Sequence, residues 1–241
     1  MTTVTALPAA PGTAPRPAAG AADATGAAAA ASAAGVAVRR ARPQEAPALA
    51  PLLAEAFADD ALMLWAFPDP EHRARVMPAF FRVHLEQCLA HGGVVVAADD
   101  TGALLGALLF LPPGVWEDPG HADGAATRAL TEAIDADRHG ESARRLDAIT
   151  RLQQHRHPRH RPHYYLAFIG VHPGARSARA GEAMLDAVLA EVDAAGQAAY
   201  AETSSTGGAR LCETHGFTRF GEAIALPGGG PRLAPVWRGP R

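Results

Sequence analysis

The sequence has 241 residues, 48% of them hydrophobic and 20% charged, with a formal net charge of −3; this suffices for one well-buried α/β domain plus a tail and makes a second domain a squeeze. The weakly acidic balance argues against nucleic acid or a membrane surface as partner, and no apolar run approaches the roughly 20 residues that span a bilayer. The two cysteines, Cys88 and Cys212, give neither a disulfide framework nor a four-ligand zinc site, and no basic residue precedes Arg16, so a cytoplasmic protein is expected rather than a secreted one.

Residues 1–35 are almost entirely Ala, Pro, Gly and Thr, with too little large apolar surface to offset the entropy of ordering a backbone, and are expected to form a disordered tail. The domain then runs over 36–241. Residues 36–42 alternate in polarity as a strand does, and Pro43 marks the entry to a helix over about 44–58 with Leu49, Leu52, Leu53 and Phe57 on its apolar stripe. The segment 61–70, ALMLWAFPDP, reads as an irregular, proline-broken connection whose large apolar residues line a substrate pocket or pack under the loop. A long helix over 71–91 ends at Gly92-Gly93, and strands over 94–98 and 103–111 join in a hairpin at Asp99-Asp100-Thr101-Gly102.

Residues 124–154 read as two helices separated near Gly140. The stretch HRHPRHRPH over 155–163 has four histidines in nine residues, but its prolines block the helix or hairpin that would aim them inward together, so a solvated basic loop is expected rather than a metal site. His163, next to the following strand, is the histidine with a chance of facing a site. Residues 164–171, YYLAFIGV, are an unbroken apolar and aromatic run, the pattern of a strand covered on both faces. An amphipathic helix opens at about Gly181, and between them lies Arg176-Ser177-Ala178-Arg179-Ala180-Gly181. A helix emerging from such a loop aims unpaired N–H groups and partial positive charge at its mouth, and two arginines add full charge, so phosphate or diphosphate is the expected guest. A short strand over 198–203, a turn over 204–208, a one- or two-turn helix over 209–215 and a terminal antiparallel pair over 217–226 and 233–237 complete the chain.

The wording YYLAFIGVHPGARSARAGEAML, AYAETSS, ETHGF and PVWR, in the order hairpin, strand, loop, helix, strand, short helix, strand, resembles GNAT-type N-acetyltransferases. It looks most like the puromycin N-acetyltransferase group, over roughly residues 36–238. The resemblance implies an α/β (α+β) fold: a mixed, mostly antiparallel sheet flanked by helices, with a V-shaped cleft between the two central strands. It implies acetyl-CoA as co-substrate, held by Ile169, Gly170, Val171 and the loop Arg176, Ser177, Ala178, Arg179, Ala180 and Gly181. Ser177 and Arg179 stand where the family usually has glycine: either the loop turns left-handed at a cost of about 1–2 kcal/mol per residue or it keeps ordinary backbone angles.

The acceptor implied is a small-molecule amine, with no nucleic acid or membrane partner, in a monomer or homodimer. Glu202 would face the amine, and His163 and His215 are reserve bases. Cys212 occupies the place where the family commonly has a proton-donating tyrosine, so Cys212→Tyr is expected to be accepted; the cysteine equally reads as a small buried hydrophobe. A GNAT-fold protein with a disabled acyl-transfer site, working as a binding protein or in CoA-independent chemistry, is the competing expectation.

Overall fold

The computed structural model describes residues 35–116, 124–137 and 140–241; for Ser177 and Ala178 it describes the backbone. The expected tail over 1–35 therefore falls, but for Gly35, outside the described residues. The chain forms strands β1 (Val36–Arg40), β2 (Val94–Asp99), β3 (Leu104–Leu111), β4 (His163–Val171), β5 (Ala198–Thr203), β6 (Thr218–Arg219), β7 (Ile224–Ala225) and β8 (Arg232–Arg238). The helices are α1 (Ala46–Ala56), α2 (Ala61–Ala66), α3 (Pro70–Leu89), α4 (Gly124–Asp135), α5 (Glu141–Arg156), α6 (Ala180–Ala194) and α7 (Thr206–Thr214).

The strands lie in the order β1-β2-β3-β4-β5-β8-β6, with β7 also paired to β8. Every pairing is antiparallel except β4 with β5. One face of the sheet is covered by α1, α2, α3 and α5, where Leu53, Phe57, Phe81 and Ile149 pack on Phe168 and Tyr200. Phe81 is fully buried, its ring 5.1 Å from Phe57 and 5.3 Å from Phe168; burying such a side chain contributes about 1.5–3 kcal/mol. The other face is covered by α6 and α7, with Met184, Leu185, Val188 and Cys212 against Leu108, Phe110, Tyr164 and Ile169.

The ends of the elements follow local chemistry. Gly140, at φ 57°, supplies the left-handed residue that separates α4 from α5. Residues 61–66, expected to be irregular, are a helix instead. The carboxylate of Asp60 accepts from the N–H groups of Leu62 (2.9 Å) and Met63 (3.3 Å) and so caps a turn that the following prolines then end. In the same way Ser205 Oγ accepts from Gly208 N (3.1 Å) and starts α7 three residues earlier than the turn signals suggest. The last strand is fixed by Arg238, 3% exposed, which makes a two-pronged pair with Asp193 (2.6 and 2.7 Å) and donates to the His215 carbonyl (3.0 Å). That guanidinium holds the Asp193 carboxyl below the usual carboxylate range.

Candidate functional site

The site arises from an interruption in the sheet. β4 and β5 pair in parallel only from His163↔Ala198 to Leu166↔Ala201. β4 continues on β3 to Gly106↔Val171, but between Leu109↔Phe168 and Phe110↔Leu166 it carries one extra residue, Ala167. Such a bulge kinks the strand and increases its twist, and it falls where β4 leaves β5. A wedge opens between the two strands toward their C-terminal ends. His172 N donates to Leu105 O, on the β3 side, so by the two-residue alternation of a strand Ile169 and Val171 turn their backbone N–H groups to the open side.

A cleft of about 250 Å³ occupies this wedge, lined by Ile169, Gly170, Val171, Arg176, Arg179 and Gly181, with Ala56 and Phe57 from α1, Glu182 from α6 and Leu211 from α7. Most of the residues that the sequence assigns to cofactor binding are thus gathered around one opening. Residues Pro173–Ala178, which include Ser177 and Ala178, form a 3-10 turn. It is anchored by His172, whose Nδ1 accepts from Gly174 N (3.1 Å) while Nε2 faces Glu55 Oε2 (3.1 Å).

Arg179 follows at φ 54°, the one non-glycine with positive φ among the described residues, and α6 begins at Ala180 with no side chain capping it. Of the two backbone arrangements open to the loop, the left-handed one is adopted at Arg179. The first N–H groups of α6 lack intrahelical acceptors, and the helix dipole adds to their pull on an anion. Glu182, in the first turn, accepts from Arg179 Nε at 2.5 Å, so that guanidinium is shared with a carboxylate on the rim.

Glu202 does not line the cleft. It is fully buried, with Oε1 accepting from the Tyr200 hydroxyl (2.7 Å) and Oε2 from Gln153 Nε2 (2.7 Å) and the Tyr165 hydroxyl (3.1 Å). Burial raises its carboxyl above the ordinary value against the pull of these donors, and burial beside that carboxylate raises both phenols in turn. The sequence reading missed Gln153, Tyr165 and Tyr200. The signal for Tyr200 was present, because residues two apart on a strand share a face.

Two of the proposed catalytic side chains stand elsewhere. Cys212 is fully buried in the apolar layer under α7, and burial pushes its thiol up to about 12; its neighbour Leu211, not Cys212, reaches the cleft. His163 lies at the far end of β4. Its Nδ1 is 2.8 Å from the Arg161 carbonyl and its Nε2 is 2.9 Å from His157 Nε2. The loop expected to be solvated thus buries two of its histidines, His157 at 8% and His163 at 8% exposure, with the Trp116 ring 3.7 Å from that of His157. The reserve base His215, at the end of α7, has Nδ1 2.7 Å from the Leu211 carbonyl and Nε2 3.2 Å from Asp186.

No protein-family model matches the sequence, and no curated protein matches it. Solved structures do resemble it. A protein described as histone acetyltransferase HPA2 and related acetyltransferase from Corynebacterium glutamicum has a TM-score of 0.65 and 24% identity, over 86% of this chain and 97% of its own. A polyamine N-acetyltransferase of Drosophila melanogaster that forms N-acetylagmatine has a TM-score of 0.58 and 16% identity, over 85% and 99%. A mosquito arylalkylamine N-acetyltransferase, like 5b, has a TM-score of 0.54 and 14% identity, over 84% and 99%. Together with the mostly antiparallel sheet, the parting of β4 from β5 and the helix that opens beside it, these likenesses show that the chain has the fold of the GNAT-type N-acetyltransferases.

Proposed function

We propose that the protein is an acetyl-CoA-dependent N-acetyltransferase acting on a small-molecule amine. The observation that carries this reading is the cleft itself, which brings two outward backbone N–H groups, the uncapped start of α6 and the guanidinium of Arg176 around one opening. The residues present fit an extended thioester with a diphosphate. A Cβ added at Gly181 would lie 3.5 Å from Val171 Cγ2 and 4.0 Å from Leu211 Cδ2, inside the cradle that glycine leaves open. Arg176, Arg179 and the first N–H groups of α6 would hold the diphosphate, and the N–H groups of Ile169 and Val171 would hold the thioester carbonyl.

Acetyl-CoA would supply the activated acetyl group. Around it, the chain's work is to orient an amine and stabilise developing negative charge on the carbonyl oxygen. The amine nitrogen would bond to the acyl carbon as the C–S bond breaks, the amine would lose its proton to water in the cleft and the thiolate would take one from solvent, because Glu202 and the hydroxyls of Tyr165 and Tyr200 are buried outside the cleft lining. The agmatine and arylalkylamine acetyltransferases of the same fold favour a small amine as acceptor.

A second reading, a GNAT-fold protein that does not transfer acetyl groups, is favoured by the burial of Cys212 away from the cleft. Calorimetric titration with acetyl-CoA and CoA, followed by thiol release against a panel of small amines, separates the two. On the first reading both ligands bind, and Arg176→Ala weakens them by about 1–3 kcal/mol, the range of a charge-assisted hydrogen bond, with an unchanged melting temperature. Absence of CoA affinity in the unaltered protein selects the second.

A further inference from the structure

The N-terminal end of β4 borders a second cavity of about 220 Å³, lined by Trp116, His157, Arg159, Arg161 and His163 with Gly114 and two prolines. It shares no lining residue with the cleft. Ile169 stands six residue steps beyond His163 along the strand, which at ~3.3 Å per residue places the two openings about 20 Å apart.

The charge around this cavity has one sign. Two arginines and two histidines line it, and no carboxylate does. Trp116 is 8% exposed, and its buried indole Nε1–H donates to no acceptor among the described residues. A buried donor left unmatched costs about 1–3 kcal/mol, a cost that an acceptor entering the cavity would remove. The imidazole pair is also oriented. Only an N–H can address the Arg161 carbonyl, so His163 carries its proton on Nδ1, and its Nε2 accepts from the Nε2–H of His157. Burial first, then the neighbouring His163 ring and the Arg159 guanidinium, push His157 down to about 2. The two imidazoles are thus neutral, and the positive charge at the cavity is that of its arginines.

We propose that this cavity binds a small oxyanion, the phosphate or carboxylate group of a small metabolite, with the guanidinium of Arg161 and the indole N–H of Trp116 as donors. Arg161 is exposed and its side chain stands at the mouth, whereas Trp116 forms part of the inner wall; together they offer one mobile charged donor and one fixed neutral donor. The site stands independently of acetyl transfer, since none of its residues reaches the cleft.

The test titrates the full chain with inorganic phosphate and, separately, with succinate at constant ionic strength, by calorimetry and by thermal melting. At least one probe is expected to bind saturably and raise the melting temperature, and the tighter one identifies the group recognised. Arg161→Ala is expected to weaken that binding at least tenfold. Trp116→Phe, which keeps an aromatic ring against His157 and removes only the N–H, is expected to weaken it about fivefold. Arg176→Ala, at the cleft, is expected to leave it unchanged. No saturable binding of either probe overturns the proposal, as does binding that Arg176→Ala removes and the other two variants leave intact.

Discussion

The two ends of β4 solve opposite problems with one strand. At its N-terminal end the strand is paired on both sides, and every polar side chain that turns inward is met by another: His163 by His157, Tyr165 and Tyr200 by Glu202, Glu202 by Gln153. At its C-terminal end one side is left without a strand, and the groups left over are backbone N–H donors and arginines facing a void. The difference is one of satisfaction. The closed end offers a visitor almost nothing except the cavity behind Trp116, whereas the open end is built of donors that lack acceptors, and unmatched donors are where an anion gains most.

The largest effect should come from emptying the closed end. Glu202→Ala leaves three buried donors without the carboxylate they address and is expected to destabilise the fold by about 3 kcal/mol, read as a fall in denaturant midpoint. Glu202→Gln keeps the shape and gives the pH dependence its sign. Because the carboxyl is raised in the folded protein, the folded state holds that proton more tightly than the unfolded chain. Stability should therefore fall as pH rises from the ordinary carboxylate value through the raised one, and the Gln variant should lack that fall. Parallel melting curves for the two across this range would show that Glu202 is not titrating in the closed end.

Next in size is a change that narrows the open end. A Cβ at Gly170 would come within 2.6 Å of Leu53 Cδ2 and 3.0 Å of Phe57 Cε2. Gly170→Ala should cost about 1–3 kcal/mol of stability through overpacking and weaken CoA by displacing Phe57 at the cleft wall. The exchange Cys212→Tyr, expected from sequence to be accepted, now belongs to this class, because a phenol has no room in the apolar layer under α7. Cys212→Ala is expected to cost only about 1 kcal/mol and to leave the turnover rate unchanged; a rate falling tenfold or more would return the thiol to the chemistry. The smallest effect should come from Glu182→Gln, which frees Arg179 from its carboxylate partner and should tighten CoA by about 0.5 kcal/mol, a twofold gain in a calorimetric titration.

The open end was legible in the sequence and the closed end was not, for physical reasons. A buried strand, a turn rich in small residues and an amphipathic helix all leave local periodic signals, and β4 and α6 begin within a residue of where those signals place them. The partners of Glu202 leave none. Gln153 lies 49 residues away in sequence, on a helix whose surface pattern does not distinguish it from Gln154, and only the packing of α5 on the sheet brings it to 2.7 Å. The burial of His157 was hidden by its neighbours: in a run of arginines and prolines, no period tells which side chain turns in. The helix α2 was hidden for another reason: Pro68 and Pro70 mark a break close behind it, and only the fold shows that the carboxylate of Asp60 caps the turn before them.

Arg179 holds a backbone angle that glycine adopts without cost, at a position where the resemblance drawn from the sequence implies glycine. The main-chain path into α6 is therefore one that glycine would follow more cheaply, and the guanidinium is added to it at the cost of that strain. Form and charge at this point become separable quantities. Arg179→Gly would relieve about 1–2 kcal/mol of left-handed strain while leaving the N–H groups of α6 aimed as before, so whatever affinity for a nucleotide survives in that variant belongs to the frame, and whatever is lost belongs to the charge.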